Sequence, residues 1–412
     1  MFTLGVKGIK ELVSVREAVS RLAKVLAKIE LDVEEVEVLE AYGRVLASDV
    51  VALVDHPGFD RSAVDGYAVV SSDTYSASMF NPAELEVVEA PAIGPGKARP
   101  VSTGEPLPSG ADAVVMEEDV KRVGGKILVY KPVARGSNVS RRGEDFASGE
   151  VLVRAGTVLD FRKIPIIYAS GHSTVRVFRK LRVGVVTVGS EVVEPGPDTA
   201  SLGRGRVFNS TAYVVLSYLR RLPFIEARYY GVVPDDLGLL ADFVARALAL
   251  NDVVVTTGGT GPGETDLVYD LVETRGAWVF RGVAMRPGRP TSASVIDGKP
   301  VLHLSGFPLA AWVGLEGVFR PALVEALGLK GFSNQVVYAK LTRRLPNQAG
   351  YTTFVRSTLT TGVGGLPLVE PFMLRGSGLL RSLAETNSYI RLEEGSEGFE
   401  EGDVVPVYLD WP

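Results

Sequence analysis

Cysteine is absent from all 412 residues. That excludes disulfides, thiolate nucleophiles and Cys-ligated zinc or iron–sulfur centres together. Histidine is nearly absent: His56, His172 and His303 are isolated in sequence, and a His-based zinc site would need all of them to converge. Glutamine occurs only at Gln335 and Gln348, and arginine outnumbers lysine, a balance that suggests a heat-adapted source. No uninterrupted apolar run approaches a membrane span, and Met1 to Lys10 lacks the apolar stretch of a secretory signal, so a soluble cytoplasmic protein is expected. Basic runs are missing too. Arg141-Arg142 and Arg220-Arg221 are short and lack interleaved aromatics, and the net charge is −5, so no nucleic-acid partner is expected.

What is present reads as a large globular chain. With 46% hydrophobic and 23% charged residues it is not disordered, and its length exceeds one ordinary core, so several domains are expected. Ser14-Val15-Arg16-Glu17 forms a capping box, followed at helical spacing by Val15, Ala18, Val19, Leu22, Val25 and Leu26. A short helix or turn is expected over Leu39 to Leu46, interrupted near Gly43. From Val50 to about Pro132, β-prone runs (Leu85–Val88, Ala113–Met116, Ile127–Tyr130) alternate with Gly/Pro turns, which predicts a small β-rich domain. Between Arg182 and Leu327 the rhythm changes. Strands are expected at Val183–Val188, Ile225–Val232, Val253–Thr257, Trp278–Val283 and Val301–Leu304. They alternate with helices at Thr211–Leu222, Asp236–Leu250, Leu267–Glu273 and Leu309–Leu327. Valine-rich runs alternating with helices predict a doubly wound α/β domain with a parallel sheet covered on both faces. After Gly331 short strands and turns return through Tyr408, a second β module. No internal repeat or low-complexity tract interrupts the chain.

Chemistry concentrates in a few segments. Phe59-Asp60-Arg61-Ser62-Ala63-Val64-Asp65-Gly66-Tyr67-Ala68-Val69 places two acids beside an aromatic and a β-prone run. Acids in such a place must be solvated, paired or metal-bound. Thr256-Thr257-Gly258-Gly259-Thr260-Gly261-Pro262-Gly263 follows a strand, where doubly wound sheets bind ligands. Its glycines would let backbone N–H groups approach an anion, or would simply make a tight strand-to-helix turn. It is neither a Walker loop nor a dinucleotide fingerprint. Glu191, Asp235-Asp236, Glu264 and Asp266 follow strands of the same sheet. Helix capping explains some of them, but not Glu191. Acids beside a phosphate cradle would repel an anion unless a hard cation lies between, which points to Mg²⁺. Met285-Arg286-Pro287-Gly288-Arg289-Pro290 supplies guanidinium groups suited to oxyanions, or surface arginines in a turn. The segments Ser102–Asp112 and Arg141–Asp145 add further hydroxyl, Arg and carboxylate groups.

Taken together in this order, these motifs resemble the molybdopterin molybdenumtransferases, the MoeA family, whose eukaryotic relative is the gephyrin E domain. The resemblance spans nearly the whole chain. It is carried by Phe59–Val69, Thr103–Glu118, Gly136–Phe146, Val188–Glu191, Thr256–Asp266 and Met285–Pro290. It implies a multidomain fold: a MogA-like doubly wound α/β domain (181–330), a small β-rich domain (55–135) inserted in a split N-terminal linking domain (1–54 and 136–180), and a C-terminal β-barrel-like domain (331–412). An elongated, L-shaped homodimer is implied, its cleft lying between the α/β domain of one subunit and the small β domain of its mate. The family inserts molybdate into adenylylated molybdopterin with Mg²⁺, releasing AMP. A MogA-type adenylyltransferase and acceptor molybdoenzymes are the implied partners.

The family's functional groups fall on Asp60, Asp145, Glu191, Asp236 (or Asp235) and Asp266, with Thr103 as a hydroxyl contact and Asp65 bordering the same place. Glu191, Asp236 and Asp266 would position Mg²⁺. Thr257, Gly258, Gly259, Thr260, Gly261, Arg286, Arg289 and Ser305 would hold the pterin phosphate and AMP. Arg356 and Ser377 match weaker C-terminal positions. The chain departs from the pattern in two places. Leu304-Ser305-Gly306-Phe307-Pro308 stands where the family has Leu-Pro-Gly-Asn-Pro, and Thr-Gly-Pro-Gly replaces Thr-Ser-Val-Gly in the glycine loop. Both changes leave open tungstate preference or impaired turnover, and the gephyrin relative adds a non-catalytic pterin-binding scaffold as the alternative reading.

Overall fold

The computed structural model describes residues 12–196, 204–259, 266–361, 365–372 and 376–410. At its centre is a six-stranded sheet in the order Ile225–Val233, Leu181–Val188, Val253–Thr257, Lys299–Leu304, Ser292–Ile296, Gly276–Arg281. The first four strands run parallel; the last two pairings are antiparallel, so Ser292–Ile296 alone runs against the other strands. The sheet is therefore mixed rather than wholly parallel. Lys299–Leu304 and Ser292–Ile296 are joined by a turn in which Asp297 and Gly298 both have positive φ, so a hairpin replaces a helical crossover.

Helices cover both faces, because alternate residues of the strands are apolar in both directions. Val183, Val185, Val255 and Leu302 pack on one side with Val215, Leu219 and Ala311. Val186, Val254 and Val301 pack on the other with Leu240, Val244 and Leu271. The first helix, Val15–Leu26, starts where Ser14 Oγ accepts the Glu17 N–H at 3.1 Å. Glu17 does not complete the reciprocal box but pairs with Arg21. This helix buries Val15, Ala18, Leu22 and Leu26 in the same core as the α/β sheet. The expected helix Leu309–Leu327 is interrupted. Pro308–Gly314 and Arg320–Ala326 are α-helical, and Leu315–Phe319 between them is a π turn.

Segments on either side of the small β unit pair with each other. Val33–Glu37 and Val45–Leu46 flank Thr174–Phe178, and Val50–Val51 pairs with Val151–Val153. The small β unit itself is a six-stranded sheet in the order Ala113–Met116, Gly66–Val69, Lys97–Val101, Ala83–Val87, Lys126–Val129, Val120–Val123, with its own core. Leu39–Ala41 is a single 3₁₀ turn, and Val45–Leu46 is extended. The C-terminal unit closes on itself. Thr352–Thr360 pairs with Leu368–Pro371 on one edge and Ser388–Leu392 on the other, and Val336–Leu341 and Val404–Leu409 complete a five-stranded barrel. Met285–Arg286 adds to it in parallel with Thr352 and Thr353, which stitches the arginine-bearing turn onto the barrel.

At this junction Glu316, 7% exposed in the π turn, accepts five hydrogen bonds. The donors are Tyr218, Tyr389, Asn334 and, twice, Arg320. Among the described residues no helix is long and apolar enough to cross a membrane.

Candidate functional site

The carboxyl ends of three parallel strands open into one cleft of about 780 Å³, within the size range of a small-molecule site. Glu191 follows Leu181–Val188, Gly258 and Gly259 follow Val253–Thr257, and Ser305 follows Lys299–Leu304; all line it. Strand order places the crevice at a topological switch point, since Leu181–Val188 and Val253–Thr257 are spatial neighbours whose connections leave in opposite directions. Gly258 has φ +81°, and a Cβ there would lie 2.2 Å from the Val188 carbonyl oxygen. Close packing of the two strand ends thus requires this glycine by itself. At Gly189, with φ +149°, a Cβ would strike the Glu191 carboxylate at 2.7 Å, so the glycine makes room for that acid.

Positive charge enters from the barrel side. Arg286 and Arg289 line the cleft and are exposed. Arg286 is held by backbone pairing with Thr353 and lies 4.2 Å over the Tyr351 ring. Among the described residues neither guanidinium has a carboxylate partner, whereas many other arginines do. Ser305 is buried, and its Oγ accepts the Phe307 N–H at 3.2 Å. Thr257 is buried and donates to Thr187 Oγ1 at 3.1 Å, so its hydroxyl braces the floor. Arg356 is 3% exposed, paired bidentately with Asp410 and stacked 4.6 Å from Trp312, so its charge is already used inside the chain. Ser377 reaches the cleft.

Glu191, Asp236 and Asp266 do not form one carboxylate group among the described residues. Among the described residues no group of three His, Asp or Glu side chains is placed to hold a metal ion. Of Glu191, Asp236 and Asp266, only Glu191 lines the cleft. Asp236 accepts the Leu239 N–H at 2.8 Å and Asp266 the Tyr269 N–H at 2.9 Å, each as the N-cap of a helix. Capping, which satisfies otherwise orphaned helix donors, decides where both carboxylates point. Burial pushes the Asp266 carboxyl above the usual carboxylate range, against the pull of the Tyr269 and Val268 backbone donors. Asp235 instead locks to Ser190, accepting its N–H at 3.0 Å and donating its own to Ser190 Oγ at 2.8 Å. Thr260 and Gly261 lie outside the described residues, as does Glu264.

Asp60, Asp65 and Thr103 lie on loops of the small β unit and Asp145 on the segment that follows it, and none lines the cleft of this chain. Asp60 accepts the Arg142 N–H at 2.8 Å, and Asp65 accepts the Thr103 N–H at 2.8 Å. Asp145 is tied through its backbone to His56, and its carboxylate has no hydrogen-bond partner among the described residues. Asp55 anchors the cluster, taking the Ser148 N–H at 2.8 Å and Arg142 Nε at 2.5 Å. Those bonds hold its carboxyl below the usual range.

Sequence reasoning missed the far wall of the cleft, formed by Thr187, Phe208, Asn209 and Thr211. Asn209 caps the helix Ser210–Arg220 and donates to Glu194 at 2.8 Å and to the Tyr229 hydroxyl at 2.6 Å. Burial, followed by the bond to Glu194, pushes the Tyr229 hydroxyl well above its ordinary value. An Asn-Ser-Thr run before an apolar helix was the available signal.

Three family models cover most of the chain. They are the MoeA N-terminal region (domain I and II) over 13–171, the "Probable molybdopterin binding domain" over 184–325, and the MoeA C-terminal region (domain IV) over 338–409. A Methanocaldococcus jannaschii protein named "Putative molybdopterin biosynthesis protein" is 34% identical over 383 residues, 92% of each chain. A molybdopterin molybdenumtransferase of Staphylococcus epidermidis is 31% identical over 96% of this chain and 95% of its own. A crystal structure of a molybdopterin biosynthesis MoeA protein from Pyrococcus horikoshii matches with a TM-score of 0.84 and 34% identity. That match covers 97% of this chain and 100% of the other.

Proposed function

The chain belongs to the MoeA family, and on that premise we propose that it is a transferase of molybdenum cofactor biosynthesis that inserts molybdate or tungstate into adenylylated molybdopterin, releasing AMP. The observation that carries this reading is the pair of guanidinium groups, Arg286 and Arg289, without a carboxylate partner among the described residues and sharing one cleft at the strand ends with a glycine turn. Unpaired cations beside a concave wall suit a ligand that brings its own negative charge.

Within that cleft, Arg286 and Arg289 bind the phosphates and offset the charge that develops on AMP as the anhydride breaks. The Gly258-Gly259 turn lets the ligand approach the backbone closely, and Ser305 and Thr257 keep the floor in place. Mg²⁺ fits the residues present only in the mode that takes one or two carboxylates and completes its shell with water and substrate phosphates. Glu191 would hold it, since Asp236 and Asp266 cap helices. When bound, it would neutralise charge on the anhydride oxygens.

Asp60, Asp65, Thr103 and Asp145 have no place in the cleft of a single chain, which supports a site completed by a second copy in a two-fold dimer. Mixing an Asp145→Asn variant with an Arg286→Ala variant should then restore activity that neither has alone; no restoration removes the shared site. The reaction is tested by incubating pure protein with adenylylated molybdopterin, Mg²⁺ and each oxyanion, and following AMP and active cofactor. Binding of the intermediate without AMP release would establish the scaffold reading instead.

A further inference from the structure

Phe307 occupies the altered loop Leu304–Pro308 and is 57% exposed, yet it lines the same concave cleft as Gly258, Arg286 and Arg289. Single exposed phenyl rings are ordinary on open surface. Inside a cleft that also presents Arg286, Arg289 and the Gly258-Gly259 turn, such a ring offers a π face to a ligand. Its place is set by the backbone. The Phe307 N–H donates to Ser305 Oγ at 3.2 Å, and its carbonyl accepts the Ala311 N–H at 2.9 Å as the helix Pro308–Gly314 begins. The preceding Gly306 carbonyl accepts Thr211 Oγ1 at 2.6 Å. On the barrel side the ring lies against Gly378, where a Cβ would come 3.2 Å from Cδ1. The ring is thus backed, pre-positioned and exposed.

We propose that Phe307 is a stacking platform for the flat heteroaromatic ring of the bound substrate, a purine or a pterin. This deepens the reading of the cleft as a phosphate-bearing substrate site and rests on it. Glycine N–H groups and guanidiniums account for the phosphate end of such a ligand but cannot desolvate its ring. A phenyl side chain can, with only two side-chain torsions to order. It recognises the ring's face and is indifferent to the hydrogen-bonding pattern of its edge, so it discriminates ring-bearing from ring-less phosphates.

The test is calorimetric titration of the full-length protein and of Phe307→Ala, Phe307→Leu and Phe307→Tyr. The probes are AMP, neopterin monophosphate and, as a ring-less control, inorganic pyrophosphate. Alanine and leucine should weaken the stacking ligand by roughly 5- to 100-fold and leave pyrophosphate binding unchanged, while tyrosine retains the affinity. Whichever ring-bearing probe loses affinity identifies the source of the ring. Equal losses for pyrophosphate and ring-bearing probes, or no loss for any, overturn the platform. So does wild-type protein that binds pyrophosphate as tightly as both ring-bearing probes, an outcome that leaves the phosphate site standing. Wild-type protein that binds none of the three overturns the phosphate site and the platform with it.

Discussion

Arg320 and Arg286 belong to neighbouring parts of the same α/β–barrel junction and are used in opposite ways. Arg320 is buried and gives two hydrogen bonds to Glu316, which also receives Tyr218, Tyr389 and Asn334. Arg286 and its neighbour Arg289 are exposed in the cleft without a carboxylate partner among the described residues. Where charge is satisfied within the chain it serves the junction between sheet and barrel. Where it is left open, it faces solvent in the cleft, where an anionic ligand can meet it. The same distinction separates the acids: Asp236 and Asp266 are spent on helix caps, whereas Glu191 remains in the cleft.

Four measurements would break or sharpen this contrast, and the largest effect is expected from a third treatment of charge, its removal. His303 is buried between Thr256 Oγ1 and Ser294 Oγ, each at 2.8 Å, and burial pulls it down to about 3 from 6.5. Its folded value lies below its unfolded one, so the unfolded chain binds the extra proton in between. Stability from this group is complete above pH 6.5 and is lost as the pH falls towards 3, up to about 5 kcal/mol. Urea titrations of the wild type and His303→Gln across that range should diverge accordingly; parallel profiles would remove the buried neutral imidazole.

Next, Glu316→Ala should cost about 3–5 kcal/mol in the same assay, because Arg320 is left buried without its counter-charge. Pyrophosphate affinity of the folded protein should hold. A variant that keeps its stability but loses ligand would reverse the assignment of the two regions.

Arg286→Ala with Arg289→Ala should do the opposite, lowering pyrophosphate affinity roughly 100-fold, about 3 kcal/mol, with little change in melting temperature. The smallest effect is expected at Asp266. Asn caps helices as well as Asp, so Asp266→Asn should leave stability unchanged, while Asp266→Ala should lose about 1 kcal/mol. If Asp266→Asn nevertheless slows AMP release, the carboxylate has a role beyond its cap.

The order of motifs, the alternation of valine-rich strands with helices between Arg182 and Leu327, and the β texture on either side are all legible in the amino-acid sequence. They follow from local periodicity and turn chemistry, which each segment carries within itself. Tertiary structure decided what depends on partners distant along the chain. The strand Ser292–Ile296 exists as an antiparallel neighbour of Lys299–Leu304, and the π turn coincides with Glu316 reaching Tyr389 of the barrel. Capping was legible as one reading of the acids before helices, with Glu191 set apart from it, but which acids it claims and which side chains share a cleft were not visible in one dimension. Asp236, Glu191 and Asp145 are the same kind of group in sequence. Burial and the donors that long-range folding brings to each acid give the three their different places.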